Sequence, residues 1–138
     1  MNEARRYLET QVLTAPREKL LLMLLDGAIR FATQARERTA AGDRQGASPL
    51  YLRAQAIALE LSAALDSGLD PALRRNLAGL YMFVYRRLVA ANLDGTAAPA
   101  EEALAILGKL RGMFGEAVAA MRAGVPPEAE GSLVGRTG

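Results

Sequence analysis

The chain has no cysteine, no histidine and no tryptophan among its 138 residues. Without cysteine there are no disulfides and no thiol nucleophiles. Without histidine there is no imidazole base, and the ordinary zinc sites lose both of their preferred ligands. Bundle oxidases that hold two metals with Glu-x-x-His motifs are excluded on the same ground. Aromatic residues are scarce, with three Phe and four Tyr, so the core must be aliphatic and rich in alanine. No apolar run reaches the ~20 residues that a membrane span needs. The first residues, Met1 to Leu13, are polar and mixed in charge rather than a basic region followed by an apolar one. These absences predict a soluble, cytoplasmic protein with no membrane insertion.

Charge of one sign is also missing in any concentrated form. The net charge is +2 and 15 of the 17 basic residues are arginines, but there is no basic run. Arg74–Arg75 and Arg86–Arg87 are the doublets of one helix, and Gly79 and Met82 lie between Arg75 and Arg86 on their shared face. No continuous phosphate-tracking stripe forms, which argues against nucleic acid. Glu101 and Glu102 are adjacent, so on a helix they point in different directions and read as helix-start charges rather than a catalytic carboxylate pair. Glycines follow no phosphate-binding spacing. Nothing here predicts an enzyme or a cofactor.

What the chain does contain is helical periodicity, within a composition that is 51% hydrophobic and 23% charged. Helix one is expected from Pro16 to Ala40, with Thr14 or Ala15 as cap and proline in the opening turn. Leu21, Leu24, Leu25, Ala28, Ala32 and Ala35 form its stripe, widened by Leu20, Leu22, Met23, Ile29 and Phe31 to more than half the circumference. Helix two is expected over 48–66, with Ser48–Pro49 as cap and first position or with a start one turn earlier. Helix three runs over 70–92 behind the Asp70–Pro71 signal, and helix four over 98–122. Helix four faces inward with Ala103, Leu107, Leu110, Phe114, Ala117, Val118 and Met121. Short loops make neighbours antiparallel. The prediction is an all-α, up-down four-helix bundle over 14–122, an N-terminal arm over 1–13 and a disordered tail over 123–138.

Two helices carry a second apolar stripe turned away from the core. In helix two, Leu50, Ala54, Ile57, Ala58, Leu61 and Leu65 face inward while Leu52, Ala56, Leu59 and Ala63 face outward. Helix three repeats the pattern, with Leu73, Leu77, Leu80, Val84, Leu88 and Ala91 inside and Ala78, Met82, Tyr85 and Val89 outside. A single bundle buries only the first set, and large exposed apolar patches mark partner surfaces. Together the stripes suit a groove for an amphipathic segment, or for an extended chain that folds on docking. The alternative is a helical adaptor that forms a homodimer through the same stripes.

The order of residues along three helices resembles the flagellar export chaperone family FliS. The matching residues are Tyr7, Gln11–Val12–Leu13–Thr14–Ala15 and Glu18 through Phe31, then Arg53–Ala54–Gln55 with Glu60–Leu61. In helix three they are Asn76–Leu77, Leu80–Tyr81, Arg86–Arg87–Leu88 and Ala91–Asn92. Roughly residues 7–118 are covered, helix four by pattern alone. The resemblance implies a non-enzymatic cytoplasmic bundle that binds the disordered C-terminal segment of flagellin, prevents its early polymerisation and helps deliver it to the flagellar type III export apparatus. It implies no nucleotide and no metal. It also implies that the N-terminal arm folds over the bundle onto part of the guest surface. Tyr7, Leu8, Val12 and Leu13 would supply the arm's apolar contacts around Leu20 and Met23. The chain departs from the family pattern in three places. Pro16 follows Ala15 rather than Ser or Thr, Leu25 replaces a tyrosine before Asp26–Gly27, and Met113–Phe114 stand where a tryptophan is usual.

Overall fold

The computed structural model describes residues 17–123. They form four α-helices, α1 (Arg17–Ala40), α2 (Arg44–Ala63), α3 (Pro71–Asp94) and α4 (Ala98–Arg122), with no strand among the described residues. Each helix packs on its chain neighbours and α4 returns to α1, which closes an antiparallel up-down ring. The predicted bundle is the observed fold. Thr14, Ala15, Pro16, the arm residues Tyr7, Leu8, Val12 and Leu13, and the tail from 124 onward lie outside the described residues, as does the side chain of Met121.

The core is built as the composition required, from leucine and alanine. Leu25, Ala28, Ala32 and Ala35 of α1 are fully buried, as are Ala54 and Ala58 of α2, Val84, Leu88 and Ala91 of α3, and Ala103 and Leu107 of α4. Alanine at these heights lets helix axes approach, so little volume is needed to fill the interior. Two tyrosines complete the core. Tyr51 and Tyr81 are its largest buried side chains.

The connections follow local chemistry. Asp70 caps α3, accepting from the amides of Ala72 at 3.0 Å and Leu73 at 3.2 Å, with Pro71 at the first helical position where its missing N–H costs nothing. Gly95 ends α3 in the left-handed conformation at φ 68° and returns its amide to the Ala91 carbonyl at 2.9 Å. The start of α2 takes the earlier of the two expected positions. Ser48–Pro49 does not open the helix; Asp43 does, its carboxylate accepting from the Gly46 amide at 2.9 Å. Pro49 sits inside the helix on an exposed face and removes one backbone hydrogen bond. The earlier start is held from two sides. Arg38 pairs with Asp43 at 2.9 Å, and Arg44 donates to the Leu93 carbonyl at the end of α3 at 2.7 Å. The Gly46 amide, and then Arg38, hold the Asp43 carboxyl below its ordinary value.

Candidate docking surface

The outward residues of α2 are where helical spacing put them. Leu52 and Leu59 are 55% and 44% exposed, and Ala56 and Ala63 are exposed beside them. The corresponding residues of α3 are only half-buried: Ala78, Met82, Tyr85 and Val89 stand on the flank of the helix rather than its far side, and Tyr85 packs against the core. The cross-bundle contacts explain this. Arg87 reaches Glu102 of α4 at 3.2 Å, which fixes the α4 side of α3. Ala78, Met82, Tyr85 and Val89 lie roughly 140–180° around the axis from Arg87, so they border the seam with α2. On α2, Ile57 marks the α1 side, since a Cβ placed on Gly27 of α1 would lie 3.3 Å from Ile57 Cδ1. Leu52 and Leu59 are roughly 140–160° from Ile57 and border the same seam from the other side. The two stripes therefore flank one α2–α3 seam.

A second apolar surface lies at the end of the bundle where α1 and α3 begin and α2 ends. It is a cleft of about 730 Å³, walled by Leu20, Leu21 and Leu24 of α1, Leu61 of α2, and Leu77 and Tyr81 of α3, with Phe114 contributed by α4. Its volume falls in the range of ordinary ligand pockets. Arg17, Glu18, Glu60 and Asp66 also line it, and Arg17 approaches Asp66 at 3.9 Å. Arg17, at the start of α1, stands at the rim of the cleft. Helical stripes did not predict this cleft, although the wide apolar arc of helix one was its signal: Leu20 and Met23 both line it, and Met23 remains 51% exposed.

Polar groups in the interior divide into two kinds. At one end the Thr39 hydroxyl donates to the Ala35 carbonyl at 2.9 Å and meets the Tyr51 hydroxyl at 2.7 Å, so both are satisfied. Gln55 and Tyr81 are buried to a similar degree, at 8% and 1% exposure, and neither side chain has a hydrogen-bond partner among the described residues. Burial pushes the Tyr81 phenol up to about 12. Sequence reasoning missed Tyr51, Gln55 and Tyr81 as interior residues. Glu101 and Glu102 are exposed, as expected of helix-start charges. Among the described residues no cluster of acidic side chains is placed to hold a metal ion. No helix there is long and apolar enough to cross a membrane.

The family model for the flagellar protein FliS matches residues 1–121 of this chain. The flagellar secretion chaperone FliS of Bacillus subtilis (strain 168) is 30% identical over 92 residues, which cover 67% of this chain and 68% of that protein. The match takes in all of α1, α2 and α3 and nearly all of α4. The chain belongs to the FliS family of flagellar proteins.

Proposed function

We propose that this protein is a flagellar secretion chaperone of the cytosol, and that its guest is the disordered C-terminal segment of flagellin. The guest is held unpolymerised and passed to the flagellar type III export apparatus. The observation that carries this reading is the apolar α2–α3 seam, on a bundle whose own core is already complete. Leu52 and Leu59 have no partner to finish burying them within the described fold, although covering the half of each that is still exposed would contribute about 1 kcal/mol. A guest that folds as it docks would bury on the order of 1,000–3,000 Å² and lose several kcal/mol in ordering itself. That loss keeps release feasible. Such a chaperone needs shape and apolar area, not catalysis, and acts through a site of Leu52, Ala56, Leu59, Ala63, Ala78, Met82, Tyr85 and Val89. In the same reading, residues 1–13 are an arm whose Tyr7, Leu8, Val12 and Leu13 cover the cleft beside Leu20 and Met23.

The test is a calorimetric titration of the full chain with the C-terminal segment of flagellin from the same organism. The expected result is one-to-one binding with a strongly negative heat-capacity change. In a Leu59→Glu and Met82→Glu double variant that melts as the parent does, binding should fall at least tenfold. Binding that ignores both charges would move the guest off the seam. No binding by the parent, with self-association weakened by the same substitutions, would favour a homodimeric adaptor instead.

A further inference from the structure

Gln55 and Tyr81 are brought to within about one helical turn of the same height by the antiparallel pairing of α2 and α3. Gln55 lies eight residues before the end of α2 at Ala63, and Gly79 lies eight residues after the start of α3 at Pro71. Both positions are therefore about 12 Å from the connecting turn. Gln55 stands roughly 160° around α2 from Ile57, on the side of α3. Tyr81 adjoins this level and forms part of the cleft wall. Thus a primary amide on the α3 side of α2 and the phenol of a cleft-wall residue, both side chains more than nine-tenths buried, lie within about one helical turn of the same height. Neither has a hydrogen-bond partner among the described residues, whereas the other buried hydroxyls there, Thr39 and Tyr51, are paired at 2.7 Å. An unpaired buried donor or acceptor is destabilising unless something completes it.

We propose that Gln55 and Tyr81 form a polar station that fixes the register of the docked flagellin segment through its main chain. The inference rests on the reading that flagellin is the guest. The Gln55 amide donates to a guest carbonyl and accepts from a guest N–H, and the Tyr81 hydroxyl donates to a second carbonyl. This requirement selects the guest's conformation. Main-chain groups inside a helix are already bonded to one another, so the segment at this height is extended or at a helix end. A continuous guest helix would leave both side chains as they are.

The experiment compares the full chain with Gln55→Leu and Tyr81→Phe, singly and together, in thermal melts of the free protein and in calorimetric titration with a synthetic C-terminal flagellin segment. Both substitutions keep approximate shape and remove the open polar group. The free variants should melt at the parent's temperature or above it, while each binds the segment roughly five- to tenfold more weakly. A lowered melting temperature would mean that the groups already have partners, and would overturn the station. Unchanged affinity in variants that remain folded would overturn it too, with the chaperone reading intact. If the parent itself does not bind, the chaperone reading falls and takes the station with it.

Discussion

At the scale of single residues, Gly95 and Tyr81 make opposite demands on chemistry. Gly95 turns the chain at φ 68°, and a Cβ there would lie 2.8 Å from Arg44 Cζ and Nε. Gly95→Ala therefore strains the backbone and displaces the guanidinium that bonds the Leu93 carbonyl. A loss of about 1–2 kcal/mol is expected in urea unfolding. Tyr81 couples stability to alkali. Its folded pKa, about 12, stands above the ordinary 10.0, so the stabilisation is complete below pH 10 and is lost as pH rises toward 12. Unfolding measured at pH 9 and pH 11 should show a loss on the order of 1 kcal/mol in the parent that Tyr81→Phe largely avoids. Both core tyrosines sit at the core spacing, Tyr51 between Ala47 and Ala54 and Tyr81 between Leu77 and Val84, but stripes drawn through aliphatic residues passed over them. A phenol ring is apolar enough to be buried, but whether its hydroxyl finds a partner depends on residues such as Thr39 on another helix, which no local pattern reveals.

At the scale of elements, legibility followed how local the governing chemistry is. The start of α3 was readable because Asp70 and Pro71 act within one turn. The start of α2 was readable only as two alternatives because Ser48–Pro49 carries the same signal, and Asp43 with two arginine contacts selects the earlier one. The outward stripe of α2 was legible in full, whereas that of α3 was placed opposite the core when it lies on the α2 flank. Periodicity gives angles around one axis, and only the position of the neighbouring helices turns an angle into exposure. α4 offers a direct test of propensity. Gly108 and Gly112 are exposed mid-helix, and a Cβ at either meets nothing within 4 Å. Gly108→Ala with Gly112→Ala should therefore raise stability by about 1–2 kcal/mol, read as a higher melting temperature. Guest binding should be unaffected if α4 stays outside the site.

At the scale of the molecule, the two apolar surfaces meet the rest of the chain differently. The α2–α3 seam lies along the bundle, whereas the cleft sits at the point where residues 1–16 join Arg17. A tethered arm competes as an intramolecular ligand, at an effective concentration in the millimolar range for a short linker. Even weak arm contacts then tax a guest that runs from the seam onto the cleft leucines Leu20, Leu21 and Leu24. If the arm and the guest's end compete for the cleft in this way, removing residues 1–13 should raise the affinity for the C-terminal flagellin segment severalfold and leave the four-helix melt in place. Both quantities come from one calorimetric series and one melting curve. An unchanged affinity with an intact fold would separate the arm from the guest surface and leave the seam as the site. The two surfaces also predict different salt responses. The seam residues are uncharged, but Arg17, Glu18, Glu60 and Asp66 line the cleft, so raising ionic strength should alter arm docking more than seam docking. The affinity gain on arm removal should thus depend on salt, while the affinity of the truncated chain should depend on it weakly.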